Sequence, residues 1–229
     1  MFRILFVLDV MDGVVVHAIR GERHSYEPVE KFSRICSSSG VLDVFETVKP
    51  KEVYVADLDR IMNRTSNNLS LISHIPVPVM LDYGVRSVDD FKEVYQRVEH
   101  VVVGTETAPP KLFEELTDHD FVVSIDTRNG NLLSQSEMCV REMCEFLSSL
   151  GVKCCILLDI SMVGTHRGIN EKLVYDVMDV LDSQLLYGGG VRSTEDIDRL
   201  REIGVDGVLI STAVHLGHIP LDVVRGGRW

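Results

Sequence analysis

Three blocks of this chain are written twice, roughly half a chain length apart. LDVMDGVVV from Leu8 returns as IDTRNGNLL from Ile125, LDYGVRS from Leu81 returns as YGGGVRS from Tyr187, and VVGTETA from Val102 returns as LISTAVH from Leu209. The offsets fall between about 105 and 117 residues in a chain of 229. A unit of that size repeated in order is most simply read as half of a closed structure made twice.

What the halves contain is legible from their hydrophobic runs. Short Val-, Ile- and Leu-rich stretches recur with helical segments between them: ILFVL from Ile4, EVYVA from Glu52, PVML from Pro78, HVVV from His100, FVVSI from Phe121, CCILL from Cys154, QLLY from Gln184 and GVLI from Gly207. The runs are continuous rather than alternating, as strands buried on both faces require. Eight strands alternating with helices predict an α/β fold, a (β/α)8 barrel in one domain spanning residues 1–229, because no linker of Pro, Ser, Gly or charge divides the chain. Ser87 with Asp90, and Ser193 with Asp196, read as helix N-caps followed by carboxylates that suit the helix dipole.

Composition excludes several classes of partner. A net charge of −12 argues against nucleic acid and anionic membrane, both of which need a clustered positive field. A small phosphorylated metabolite remains compatible, since amides at helix N-termini hold phosphate without net basic charge. Cys36, Cys139, Cys144, Cys154 and Cys155 are odd in number and lack metal-type pairing, so buried, reduced thiols in a cytoplasmic protein are expected, with no metal site. MFRILFVLDVMDG is interrupted by Asp9 and reads as a first strand rather than a signal peptide. The glycines form no dinucleotide fingerprint, so no cofactor is expected.

Asp9 and Asp126 each follow a hydrophobic run directly, at the ends of the first and fifth strands. In a closed barrel these lie opposite one another at the mouth, where such folds build their sites. Two carboxyls there can divide the work of general base and general acid if their surroundings push their pKa values apart; capping of the next turn is the plain alternative. Gly189 and Gly190 before the helix near Ser193, with Ser211 and Thr212 next door, form a candidate phosphate cradle. A tight turn alone would also use glycines. The matching first-half site would use Gly84, Gly104 and Thr105, but Asp82 and Tyr83 stand where the second half has Gly188 and Gly189. The negative charge and the ring are expected to repel and block an anion there.

In this order the blocks resemble the HisA/HisF family of histidine biosynthesis, the phosphoribosylformimino-aminoimidazole carboxamide ribotide isomerase and the cyclase subunit of imidazole glycerol phosphate synthase. The likeness runs from LDVMDGVVV through VADLD from Val55, SIDTRNG from Ser124 and DISMVGTHRGIN from Asp159 to STAVHLGHIP from Ser211. It implies a duplicated half-barrel that binds a substrate with a phosphate at each end, with Asp9 as general base and Asp126 as general acid in an Amadori rearrangement. By position it adds Gly164 and Thr165 to the phosphate site, and the chain keeps Asp57 as a candidate substrate contact; Arg86, Arg128 and Arg167 read either as loop cations for a carboxylate or second anionic group of the substrate or as solvated surface charges, and His166 and His215 are weaker candidates. Departures from the family are also clear. Leu158 and Val163 replace two polar residues of the isomerase, and His100 and Cys154 break the charged ring that Arg3 and Glu52 would begin, which argues against an ammonia gate and a glutaminase partner. The expectation is an acid/base isomerase of altered specificity; the alternatives are the ordinary histidine-pathway isomerase and a barrel that binds a ligand or partner without catalysis.

Overall fold

Eight parallel strands close on themselves in the computed structural model, which describes residues 1–229. They are β1 (Arg3–Met11), β2 (Val53–Asp57), β3 (Val79–Asp82), β4 (His100–Gly104), β5 (Val122–Arg128), β6 (Cys154–Asp159), β7 (Gln184–Gly188) and β8 (Gly207–Ile210). Each pairs in parallel with the next, and β8 returns to β1 with Ile4 opposite Val208 and Phe6 opposite Ile210. The eight hydrophobic runs of the sequence are these eight strands, so the fold is the expected (β/α)8 barrel. Its helices are α1 (Val41–Val48), α2 (Leu58–Ile61), α3 (Leu69–Ile72), α4 (Val88–Val94), α5 (Pro110–Glu115), α6 (Val140–Ser149), α7 (Glu171–Met178), α8 (Thr194–Ile203), α9 (Thr212–His215) and α10 (Leu221–Gly226).

Strand alternation divides the apolar residues into two cores. Ile4, Phe6 and Leu8 of β1, with Val53 and Val55 of β2, face outward into a layer of 53 buried residues between sheet and helices. Leu5, Tyr54, Met80, Val102, Val122, Ile156, Leu186 and Leu209 face inward and plug the barrel axis. The inward parity then carries Val7 to Asp9 in β1, Met80 to Asp82 in β3, and Val122 to Asp126 in β5. Carboxylates therefore stand at the mouth on a hydrophobic floor.

The duplicated D…G block has a physical meaning. β1 and β5 each continue into an antiparallel partner, Val14–His17 and Asn131–Leu132, through Asp12-Gly13 and Asn129-Gly130. All four turn residues have positive φ, at 51° and 82° in the first turn and 53° and 78° in the second. Such turns match the strand twist and favour Asn-Gly and Asp-Gly. A short strand at Glu27–Pro28, paired with Val16 and His17, has no signature in the hydrophobic pattern; it holds the long segment after β1 beside the mouth.

Of the expected caps, the Ser87 hydroxyl accepts the Asp90 amide at 3.2 Å. Ser193 is the N-cap of α8 but its side chain caps no amide; Asp196 instead takes the Arg192 amide at 2.9 Å and both arms of its guanidinium. All five cysteines are free; Cys36, Cys144 and Cys155 are buried as expected, whereas Cys154 is half-buried at the start of β6 and Cys139 sits exposed at the N-cap of α6. No helix is long and apolar enough to cross a membrane.

The seam between β8 and β1 depends on Gly207, where an added Cβ would lie 2.8 Å from Arg3 Cβ and 2.9 Å from Leu186 Cδ2. Gly207→Ala is expected to lower stability by about 1–3 kcal/mol through overpacking, read as a shift of the urea midpoint at unchanged slope.

Candidate active site

Asp9, Asp82 and Asp126 line one cavity together with Glu106, Arg23, Tyr26 and Tyr54. Each carboxyl has a different set of partners. Asp126 accepts the Ser124 hydroxyl at 2.6 Å and the Glu106 amide at 3.1 Å. Asp82 accepts the Gly84 amide at 2.9 Å and the Tyr54 hydroxyl at 3.3 Å. Asp9 receives no hydrogen bond from the protein and is half-buried, its free face turned to the cavity.

The environments hold the three carboxyls well above their ordinary range. Burial lifts Asp126 to about 8, reinforced by the charge of Asp82 and opposed by the Ser124 hydroxyl. Asp9 rises to about 7 by burial, against the pull of Arg23. Burial raises Asp82 to about 6 against its bond from Gly84. Burial thus disfavours the charged form of all three, most at Asp126 and least at Asp82. Arg23 is the nearby cation, and it is already bound through both arms to Glu106 at 2.9 and 2.6 Å.

The opposite wall is made of backbone. Gly188, Gly189, Gly190, Ser211, Thr212 and Gly164 line it. Gly189 and Gly190 have φ of 116° and 78°, and a Cβ on either would lie within 2.4 Å of a carbonyl oxygen, that of Asp159 or Gly168. The amides of Gly189, Gly190, Ser211 and Thr212 donate to no protein acceptor. Thr165 does not reach this wall; its hydroxyl donates to the Met162 carbonyl at 2.8 Å.

The first-half equivalents are arranged differently. Gly84 packs against α2, where a Cβ would meet Ile61 N at 2.6 Å. Thr105 is fully buried and its hydroxyl accepts the Asp126 amide at 3.0 Å. Gly104 leaves room for two carboxylates: a Cβ there would sit 2.9 Å from Asp126 Oδ2 and 3.6 Å from Asp82 Oδ2. Here the amides of Gly84 and Glu106 are already taken by protein carboxyls. Tyr83 corrects the sequence reading, for it blocks nothing. Its parity turns it outward, fully buried, with its hydroxyl donating to Glu93 at 3.0 Å and the Arg60 guanidinium over its ring. Of the pair Asp82 and Tyr83, only Asp82 enters the cavity.

The three candidate substrate contacts also lie elsewhere. Asp57 caps α2 and accepts the Asn68 amide and side chain at 2.7 and 2.8 Å. Arg86 donates to the carbonyls of Arg60, Gly84 and Ile61 at 2.9, 2.7 and 2.6 Å. Arg128 is exposed at the end of β5. None of the three lines the cavity.

The chain is similar along nearly its whole length to known proteins. A family profile described as "Histidine biosynthesis protein" matches residues 3–220. The chain belongs to this HisA/HisF family. An uncharacterised protein of Methanocaldococcus jannaschii is 37% identical over 97% of each chain. The 1-(5-phosphoribosyl)-5-((5-phosphoribosylamino)methylideneamino) imidazole-4-carboxamide isomerase of Bacillus cereus is 28% identical over 95% of each. The isomerase of the same name from Methanosphaera stadtmanae is 25% identical over 96% of each.

Within this HisA/HisF barrel, sequence reasoning missed Arg23, Tyr26, His17, Tyr54 and Glu106. Tyr54 is open to discovery from sequence, since it shares inward parity with Ala56 in a run that reads as a strand. Glu106 stands where the repeat has Ala213, a difference as plain as Asp82. Arg23 and Tyr26 lie in a segment without periodicity, and nothing local marks them.

A carboxyl whose folded-state pKa exceeds its unfolded value binds more protons when folded. Its stabilising share is complete below about pH 4 and is lost as pH rises toward about 8. Asp126→Asn is therefore expected to raise the thermal midpoint at about pH 8 and to lose that advantage near pH 4. A tenfold change in proton affinity is worth about 1.4 kcal/mol, so the gain is on the order of a few kcal/mol. A scan showing no pH dependence of the difference would refute the raised acid.

Proposed function

We propose that the protein is an acid/base isomerase of the aldose-ketose type, acting on a small metabolite that carries one phosphate. The observation that carries this reading is the pairing of Asp9 and Asp126 in one cavity, from opposite strands, with burial holding them at about 7 and about 8. Such values suit a base that must exchange a proton near neutrality and an acid that must still hold one.

In an Amadori-type reaction Asp126 would protonate the ring oxygen of an aminoaldose as the C1–O bond breaks and the nitrogen lone pair forms an iminium. Asp9 would then take the proton from C2, giving an enaminol that tautomerises to the ketose. The glycine wall supports the single phosphate, because its free amides have no protein acceptor. At the other end Asp82 already occupies the amide of Gly84, so a neutral or cationic group fits there better than a second phosphate. Leu158 and Val163 line the cavity with apolar surface, which also favours a substrate unlike that of the isomerases named above.

Exchange at C2 of phosphorylated aminoaldoses in deuterated water tests the chemistry. Asp9→Asn and Asp126→Asn are each expected to slow exchange by about 10²–10⁴-fold while ligand binding survives. Exchange unchanged in both variants would leave a binding protein. Growth of a strain lacking the histidine-pathway isomerase, restored fully by this chain, would instead assign the ordinary substrate. Asp82→Gly is expected to raise affinity for a bisphosphorylated ligand about tenfold or more by removing one unit of like charge from a desolvated site; Tyr83 is left in place because it belongs to the core.

A further inference from the structure

Three histidines border the glycine wall with ring nitrogens that no protein group satisfies. These are Nε2 of His17, Nε2 of His215 and both nitrogens of His166, and all three side chains line the cavity. His215 is only 1% exposed. Buried polar atoms left without partners are uncommon enough to require a reason.

The tautomer of His215 follows from counting bonds. Ser33 Oγ accepts the amides of Ile35 and Cys36 at 3.1 and 2.9 Å, which uses both of its lone pairs. Its one proton must go to His215 Nδ1, 2.9 Å away. The ring's own proton is then on Nε2, a donor with nothing to donate to. His166 reaches the same cavity from a loop held between Gly164 and Gly168, and its own φ is +52°, a conformation non-glycine residues seldom adopt. His17 is fixed by stacking on Phe32 with centroids 3.6 Å apart.

The neighbours of these rings disfavour their charged forms in the free protein. Burial and His166 hold His17 at about 4, burial and His17 hold His215 at about 4, and burial with His218, 5.3 Å away, lowers His166. The carboxylates Asp9, Asp82, Asp126 and Glu106 line the same cavity, Asp9 from β1, the strand paired with β8, while Arg23 is engaged by Glu106 and Tyr26 belongs to the same lining. No set of three His, Cys, Asp or Glu side chains is placed to hold a metal ion. An incoming dianion is the group that would both accept the Nε2 proton and reverse the mutual repulsion of the rings.

We propose that His17, His166 and His215 form the receptor for the substrate's phosphate, with His215 giving a preset neutral N–H bond while His17 and His166 take up protons as the dianion binds. This rests on the glycine wall being the phosphate end. Sulfate is the chosen probe, because it stays a dianion across the range in which imidazoles titrate.

Binding is read by calorimetry in two buffers of different ionisation enthalpy near pH 6.5, together with ¹⁵N spectra of the histidine rings. Sulfate is expected to bind with proton uptake and to move the ring signals of His17, His166 and His215 but not those of exposed His24 and His74. His215→Phe should weaken binding about tenfold or more, with His215→Gln, which keeps a donor near the Nε2 position, recovering most of it. Proton uptake should disappear in the His17→Asn, His166→Asn double variant. Sulfate binding that leaves the three ring signals unmoved, or uptake that persists in the double variant, would overturn the receptor and leave the phosphate end standing. No sulfate binding by the wild type would remove both.

Discussion

Closing eight strands into a barrel aims every second residue at a single axis, and at the mouth of this barrel that rule gathers three carboxyl groups. Asp9, Asp82 and Asp126 cannot all be ionised at low cost in so enclosed a space. One arginine, itself shared with Glu106, is too little compensation, so the proton affinities of the acids rise instead. The hydroxyls of Ser124 and Tyr54, the absence of a side chain at Gly104 and the hydrophobic floor are all arrangements around that one electrostatic constraint.

The two halves have solved the same local problem in opposite ways. Loop amides near strand ends need acceptors, and in the second half those of Gly189, Gly190, Ser211 and Thr212 are left for something outside the chain. In the first half Asp82 and Asp126 supply the acceptors from within, at Gly84 and Glu106. Arg86 fills the remaining carbonyls of the same corner. LDYGVRS and YGGGVRS thus differ as a corner whose amides are satisfied from within differs from one whose amides stay open.

How much of this is legible in the sequence depends on whether a residue sits on a strand. The eight strands, Asp9, Asp126 and the glycine wall follow from hydrophobic runs and from the repeat, because burial on both faces leaves an unmistakable composition. Charge and bulk weighed without strand parity misplace Tyr83, since parity turns it away from the axis beside the inward Asp82. Arg86, Arg128 and Asp57 show the opposite limit. A loop cation or carboxylate has many local backbone partners within reach, and only coordinates reveal that these took precedence. Arg23 and His17 act from the segment after β1, whose course is set by contacts far apart in the sequence.

The bond between Arg23 and Glu106 joins that segment to the loop after β4, and Glu106 in turn holds Asp126 through its backbone amide. Loss of that amide would strengthen the hold of Asp126 on its proton, and its return would ease release. Glu106 thus ties the wall of the mouth, through its side chain, to the acidity of a carboxyl at its floor, through its amide.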